Sequence, residues 1–192
     1  MQNFLLVGVG GQGTLLASNV LAQVGVRAGC DVKKAEVHGM AQRGGSVSSH
    51  IRWGERVYSP LIGRGEADVL VSFEKLESLR YVNMLRPGGT VIIGETRIPP
   101  LSVSSGSETY PDDAEIQRIF AQVTDDLRMV PSVRLAEQIG NVRVSNVVVL
   151  GGLSTRTQVP QETWLEVITE LVPAKFVELN RQAFLAGAGE TR

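Results

Sequence analysis

The chain has 192 residues, 43% of them apolar, which suits one domain with a substantial core. Its formal charge of −1 gives no broad electrostatic attraction for nucleic acid or an anionic membrane. Cys30 is the single cysteine and His38 and His50 are the only histidines, which excludes an internal disulfide, an all-cysteine iron–sulfur cluster held by this chain alone, and a convincing zinc set.

Residues 3–9 form a continuous apolar run, the pattern of a strand covered on both faces of a parallel sheet. The run is far shorter than the roughly 20 residues that span a bilayer. It also lacks the basic start of a secretory signal, so the chain is expected to be cytoplasmic, with no membrane partner. Three glycines at GxGxxG spacing follow, Gly8, Gly10 and Gly13. Apolar residues then recur at helical spacing from Thr14 to Ala28, and Gly29 stands where that helix should stop. Residues 31–37 read as a second strand, completing a β–loop–α–β unit of the kind found in parallel sheets.

The stretch HGMAQRGGSVSSHIRWGERVYSP, 38–60, has no helical period. Residues 46–53 alternate as a strand, and 56–58 are placed to pair with it. Residues 67–73 give another buried strand, with a helix to about Leu85. Arg86-Pro-Gly-Gly89 reads as a turn and 90–94 as a further strand. Residues 97–113 form a surface loop, 114–122 a helix and 127–130 a short strand. The remainder is helical over 133–139, 143–154, 161–171 and 173–187. The fold class is therefore α/β: a single doubly wound, mostly parallel Rossmann-like sheet with a helical C-terminal part, in one domain over 1–192.

In the opening motif Gly8 permits a tight turn, Gly10 lets backbone approach a ligand, and Gly13 lets the helix pack close to the sheet. The helix start offers N–H groups and a positive dipole end to an anion. Glu36 ends the second strand, 23 residues beyond Gly13, and has the chemistry to hold ribose hydroxyls. The glycines equally serve packing alone. Gln12 sits unusually between Gly11 and Gly13.

The second loop carries more information. Arg43 offers a fixed fork for carboxylate or phosphate beside Gly44 and Gly45, with His38 and Gln42 as further polar groups. Both loops are expected on one edge of the sheet, forming a binding cleft or a docking surface. A local carboxylate partner for Arg43 is the plainer alternative, and His50 reads as a structural histidine.

Four ordered segments, GVGGQGTLLAS (8–18), EVHGMAQRGGSVSSHIR (36–52), GNVRVSNVVVLGGL (140–153) and PAKFVELNRQAFLAG (173–187), carry a resemblance over nearly the whole chain. The sequence resembles the gamma component of 2-oxoacid:ferredoxin oxidoreductases, nearest to the small subunit of the indolepyruvate-type enzymes. The resemblance implies a non-catalytic but required subunit, inactive when isolated, that completes the active-site cleft of a larger subunit. That larger subunit carries thiamine diphosphate and iron–sulfur clusters, decarboxylates a 2-oxoacid to an acyl-CoA, and passes electrons to ferredoxin. By the same resemblance Gly8, Gly10, Gly11, Gln12, Gly13, His38, Gly39, Met40, Gln42, Arg43, Gly44 and Gly45 bind cofactor or face the partner. Coenzyme A is the cofactor implied near them. Asn146 falls in the third segment, as a ligand contact or a packing amide. No catalytic residue and no metal site is assigned to this chain, and self-association of the isolated subunit is compatible with the pattern. The alternatives are an NAD(P)-binding enzyme using Gly8, Gly10, Gly13 and Glu36, and a stand-alone nucleotide-binding regulatory module.

Overall fold

The computed structural model describes residues 1–38 and 44–190, with His38 described by its backbone alone. The first strand, β1 (Gln2–Val9), is buried from Phe4 to Val9. Its side chains split by the period of two: Phe4 and Leu6 enter one apolar cluster, Leu5 and Val7 the other. One strand thus supplies both cores.

From β1 the chain enters α1 (Thr14–Arg27). Ala17, Val20, Leu21 and Val24 press on the first face of the sheet. Next come β2 (Asp31–His38), β3 (Ser46–Gly54) and β4 (Ala67–Ser72). The short helix α2 (Lys75–Arg80) covers the second face and leads into β5 (Leu85–Gly94). A four-residue turn of helix, α3 (Leu101–Ser104), interrupts the following loop. Helix α4 (Asp113–Phe120) and β6 (Leu127–Val130) complete the sheet side. Four helices follow: α5 (Ser132–Ile139), α6 (Ser145–Ser154), α7 (Gln161–Leu171) and α8 (Val177–Glu190). Trp164 and Phe184, 6.0 Å apart between ring centroids, are fully buried in that helical layer. Phe176, by contrast, remains partly exposed.

Among the described residues the sheet has six strands, in the order β2-β3-β1-β4-β5-β6. The pairs β1–β4, β4–β5 and β5–β6 are parallel, whereas β3 runs antiparallel to both of its neighbours. The sheet is mostly parallel, as expected, with one departure from the simple β–α–β reading. β2 does not lie beside β1, because β3 hairpins back and inserts between them. Gln2 to Val9 pair with Trp53 to Ser46, and Asp31 to His38 pair with Gly54 to Val47.

Two local expectations are corrected. Arg56–Tyr58 forms no strand, and Arg86-Pro-Gly-Gly89 is no free turn. The latter lies inside β5, where the register with β4 shifts between Ala67 and Val69. Gly88 takes the left-handed φ of 70° there, and its N–H donates to the Val123 carbonyl at 2.8 Å. Among the described residues no helix is long and apolar enough to cross a membrane.

Candidate functional site

β1 ends at the centre of the sheet, and the two helices that follow β1 and β4 leave on opposite faces. α1 joins the first core, while Leu79 of α2 packs against the second. The carboxyl ends of β1 and β4 therefore bracket the crevice where doubly wound folds bind ligands. The glycine loop sits over that crevice.

Gly8 has no room for a side chain: a Cβ there would lie 2.9 Å from Gln12 Oε1 and 3.3 Å from Phe73 Cβ. The Gln12 amide occupies the crevice and is satisfied at both ends. Its Oε1 accepts from the Val9 N–H at 2.8 Å, and its Nε2 donates to the Phe73 carbonyl at 2.9 Å. Gln12 thus bridges β1 to the residue that follows β4.

Gly13 holds the N-cap position of α1 with φ 78°, in the left-handed region. A Cβ on it would fall 2.3 Å from Asn146 Nδ2. Asn146, buried in the first turn of α6, donates from Nδ2 to the Gly13 carbonyl at 3.2 Å and accepts from the Val147 N–H at 2.9 Å. The amide therefore clamps the loop to the helical layer.

The second loop joins the first through backbone. The Gly10 N–H donates to the Gly45 carbonyl at 2.9 Å, and the Gly44 N–H donates to the Gly10 carbonyl at 3.2 Å. His38 closes β2 opposite Val47. Gly39, Met40, Gln42 and Arg43 lie outside the described residues.

The electrostatics suit an anion. α1 starts with no side-chain cap and no acidic residue in its first turn, so its leading N–H groups have no intrahelical partner at the positive end of the dipole. A cleft of about 420 Å³ opens beside the loop, lined by Gly10, Gly11, Gly13, Glu36 and Ser48 among others. On the loop's other flank an apolar groove of about 490 Å³ runs past Leu16, Ile98, Val142 and Phe176. Glu36, the candidate ribose ligand, is held by Lys34 Nζ at 2.7 Å, on an edge strand separated from β1 by β3.

A further cavity, of about 860 Å³, lies at the opposite end of the sheet and has a different character. Its arginines are already paired: Arg27 with Glu170, Arg86 with Asp68, Arg156 with Asp126. It also faces the C-terminal end of α1, where a dipole repels anions.

Sequence reasoning missed a buried carboxylate at the glycine-loop end of the sheet, just after β4. Glu74 is fully buried and N-caps α2, its Oε2 accepting from the Glu77 N–H at 2.8 Å. Its Oε1 accepts from the Ile98 N–H at 2.9 Å and from the Tyr110 hydroxyl. Burial, reinforced by that hydrogen bond, pushes the Tyr110 hydroxyl well above the usual tyrosine range. No motif marks these residues, because their partners lie 24 and 36 positions away. Among the described residues no group of three or more His, Cys, Asp or Glu side chains is placed to hold a metal.

The family model described as pyruvate ferredoxin/flavodoxin oxidoreductase matches residues 3–190. The chain belongs to this family. Indolepyruvate oxidoreductase subunit IorB of Thermococcus kodakarensis is 43% identical to this family member over 96% of this chain and 93% of its own length. Among solved structures, the gamma subunit of a keto/oxoacid ferredoxin oxidoreductase from Geobacter sulfurreducens matches with a TM-score of 0.73 at 23% identity, covering all of this chain and 98% of that one. A 2-oxoglutarate:ferredoxin oxidoreductase from Magnetococcus marinus, solved with 2-oxoglutarate, coenzyme A and succinyl-CoA, matches with a TM-score of 0.72 at 20% identity. It covers 99% of this chain but only 31% of the longer one. The family's fold thus occurs both as a separate chain and as part of a longer one.

Proposed function

We propose that this chain is the small subunit of an indolepyruvate-type 2-oxoacid oxidoreductase, closing the cleft over a larger subunit and holding an anionic part of coenzyme A at the Gly10–Gly13 loop. The observation that carries the reading is the pair of backbone hydrogen bonds joining Gly10 to Gly44 and Gly45 beside an uncapped, acid-free helix start. Such a start offers backbone N–H donors to phosphate without any side chain having to move. The 43% identity to an indolepyruvate oxidoreductase subunit supports the assignment of substrate class.

Thiamine diphosphate and iron–sulfur clusters belong to the larger subunit in this reading, which supplies decarboxylation and electron transfer to ferredoxin. Coenzyme A supplies the thiol that leaves as the acyl thioester. This chain's part is to bind, orient and exclude water. Exposed Leu15, Val37 and Phe176 surround the loops and give the larger subunit apolar surface to cover.

An NAD(P) site is less well supported. Gln12 fills the crevice that a dinucleotide would cross, and β3 separates Glu36 from the loop's own strand.

Anaerobic co-purification of the tagged chain with its larger subunit tests the proposal, followed by viologen reduction with a panel of 2-oxoacids and coenzyme A. A coloured complex with fastest turnover on an arylpyruvate supports it. A chain recovered without a larger companion, or a complex indifferent to arylpyruvates, overturns it.

A further inference from the structure

The ladder between β1 and β3 ends at the pair Val9–Ser46. Beyond it, Gly44 and Gly45 are tied to the glycine loop by two backbone hydrogen bonds with Gly10. Two glycines in succession carry little intrinsic stiffness, so the geometry of this junction depends on what fixes its root.

Ser46 is that root, and a buried carboxylate holds it. Its Oγ donates to Glu77 Oε2 at 2.5 Å and lies 3.2 Å from the Tyr81 hydroxyl. Glu77 is 5% exposed, and its other oxygen accepts from Arg80 Nε at 2.9 Å. Burying a carboxylate is costly unless its oxygens are paired, and here both are. Glu77 is in turn fixed by the cap of its own helix, through the Glu74 contact to its N–H. α2 has only six residues, too few to hold a helix by propensity, so its place depends on these polar anchors.

We infer that Glu77 is a positioning residue: through Ser46 it sets the spacing between the Gly44–Gly45 junction and the Gly10 loop, and with it the fit of the anionic ligand. The chain of contacts runs from Glu77 to Ser46, along the backbone to Gly45 and Gly44, and across two hydrogen bonds to Gly10. Glu77 itself does not touch the ligand. The inference rests on the coenzyme A reading above for its functional consequence, but its structural half stands apart.

Three variants test it: Glu77→Ala, Ser46→Ala, and Glu77→Gln, which keeps an oxygen acceptor for Ser46. Hydrogen exchange on the full chain reads the junction directly. Amides of Gly10 and Gly44 should exchange faster in both alanine variants and close to wild type in Glu77→Gln. In the assembled oxidoreductase the alanine variants should raise KM for coenzyme A about tenfold, the size of one lost charge-assisted hydrogen bond, with kcat within about twofold. Combining the two substitutions should cost little more than either alone.

Unchanged exchange in both alanine variants overturns the inference outright. A Gly10→Val variant separates the remaining outcomes. If it raises KM for coenzyme A while Glu77→Ala leaves KM untouched, the positioning role is wrong and the ligand reading survives. If neither changes KM although exchange is faster, the ligand reading is wrong and only the structural pinning stands.

Discussion

Gln12 and Phe73 are joined by a side-chain-to-backbone hydrogen bond of 2.9 Å across the point where β1 and β4 diverge. The Gln12 amide makes both of its bonds to backbone groups, donating at one end and accepting at the other. A glutamate there can accept from Val9 but offers the Phe73 carbonyl only repulsion. Gln12→Glu should therefore cost about 1–3 kcal/mol, as expected when a polar partner is removed. In a domain of this length that corresponds to about 2–4 °C in Tm per kcal/mol. Thermal denaturation at neutral pH checks it. A smaller loss at pH values low enough to protonate the new carboxyl would confirm that charge, rather than shape, is the cause.

Gly13 and Asn146 form a coupled pair. Gly13→Ala meets two separate penalties: a left-handed φ of 78°, worth about 1–2 kcal/mol, and a Cβ only 2.3 Å from Asn146 Nδ2. Asn146→Ala alone frees the Gly13 carbonyl and should cost about 1 kcal/mol. In the double variant the clash is gone but the φ strain remains. The two changes should thus sum to less than their separate effects, by a coupling of about 0.5–3 kcal/mol in urea denaturation. Strict additivity would show that the amide does not press on the glycine.

Much of this edge is legible in the sequence. The continuous apolar run of β1, the helical spacing after Thr14 and the glycine spacing place the first loop. The same logic brings the second loop to the same end of the sheet, where Gly10 meets Gly44 and Gly45. What alternation cannot say is which strand is a neighbour. The run 46–53 reads as a strand in isolation, and only the hairpin return of β3 reveals that it separates β2 from β1. The dinucleotide alternative weakens for that reason. Glu74 and Glu77 are illegible because their meaning lies in contacts 24 to 36 residues away. The Arg43 expectation falls on residues outside those described.

The third and fourth segments of the sequence pattern contain glycines whose reason is packing. A Cβ on Gly151 would stand 2.0 Å from the Phe184 carbonyl oxygen, and one on Gly187 would stand 1.9 Å from the Val148 carbonyl oxygen. Gly151 and Gly187 thus each receive the backbone of the other helix, and backbone cannot rotate out of the way. Gly151→Ala or Gly187→Ala should force the helices apart and disturb the core around Phe184, costing several kcal/mol in the manner of overpacked cores. Gly189→Ala is the control: nothing lies within 4 Å of that position, so stability should hold or rise slightly. Circular dichroism melts of the three variants decide the matter, and equal Tm values would refute the close crossing.

His50 gives the fold a defined pH response. It lies in β3, buried, and its Nδ1 accepts from the Ile62 N–H at 3.2 Å. An accepting Nδ1 is unprotonated, so the ring is neutral with its proton on Nε2. Burial holds its pKa below the usual histidine value of 6.5. The unfolded chain therefore binds a proton at pH values where the folded chain does not, and stability rises with pH across that interval. The contribution is complete above about pH 6.5 and is lost as pH falls from there toward the folded pKa. Protonation also removes the acceptor that pins Ile62, loosening the connection between β3 and β4. Urea denaturation from pH 7.5 to 5 should show a downward slope in wild type that is absent in His50→Asn, whose side-chain oxygen still accepts from Ile62. An identical slope in both proteins would assign the pH response to other groups.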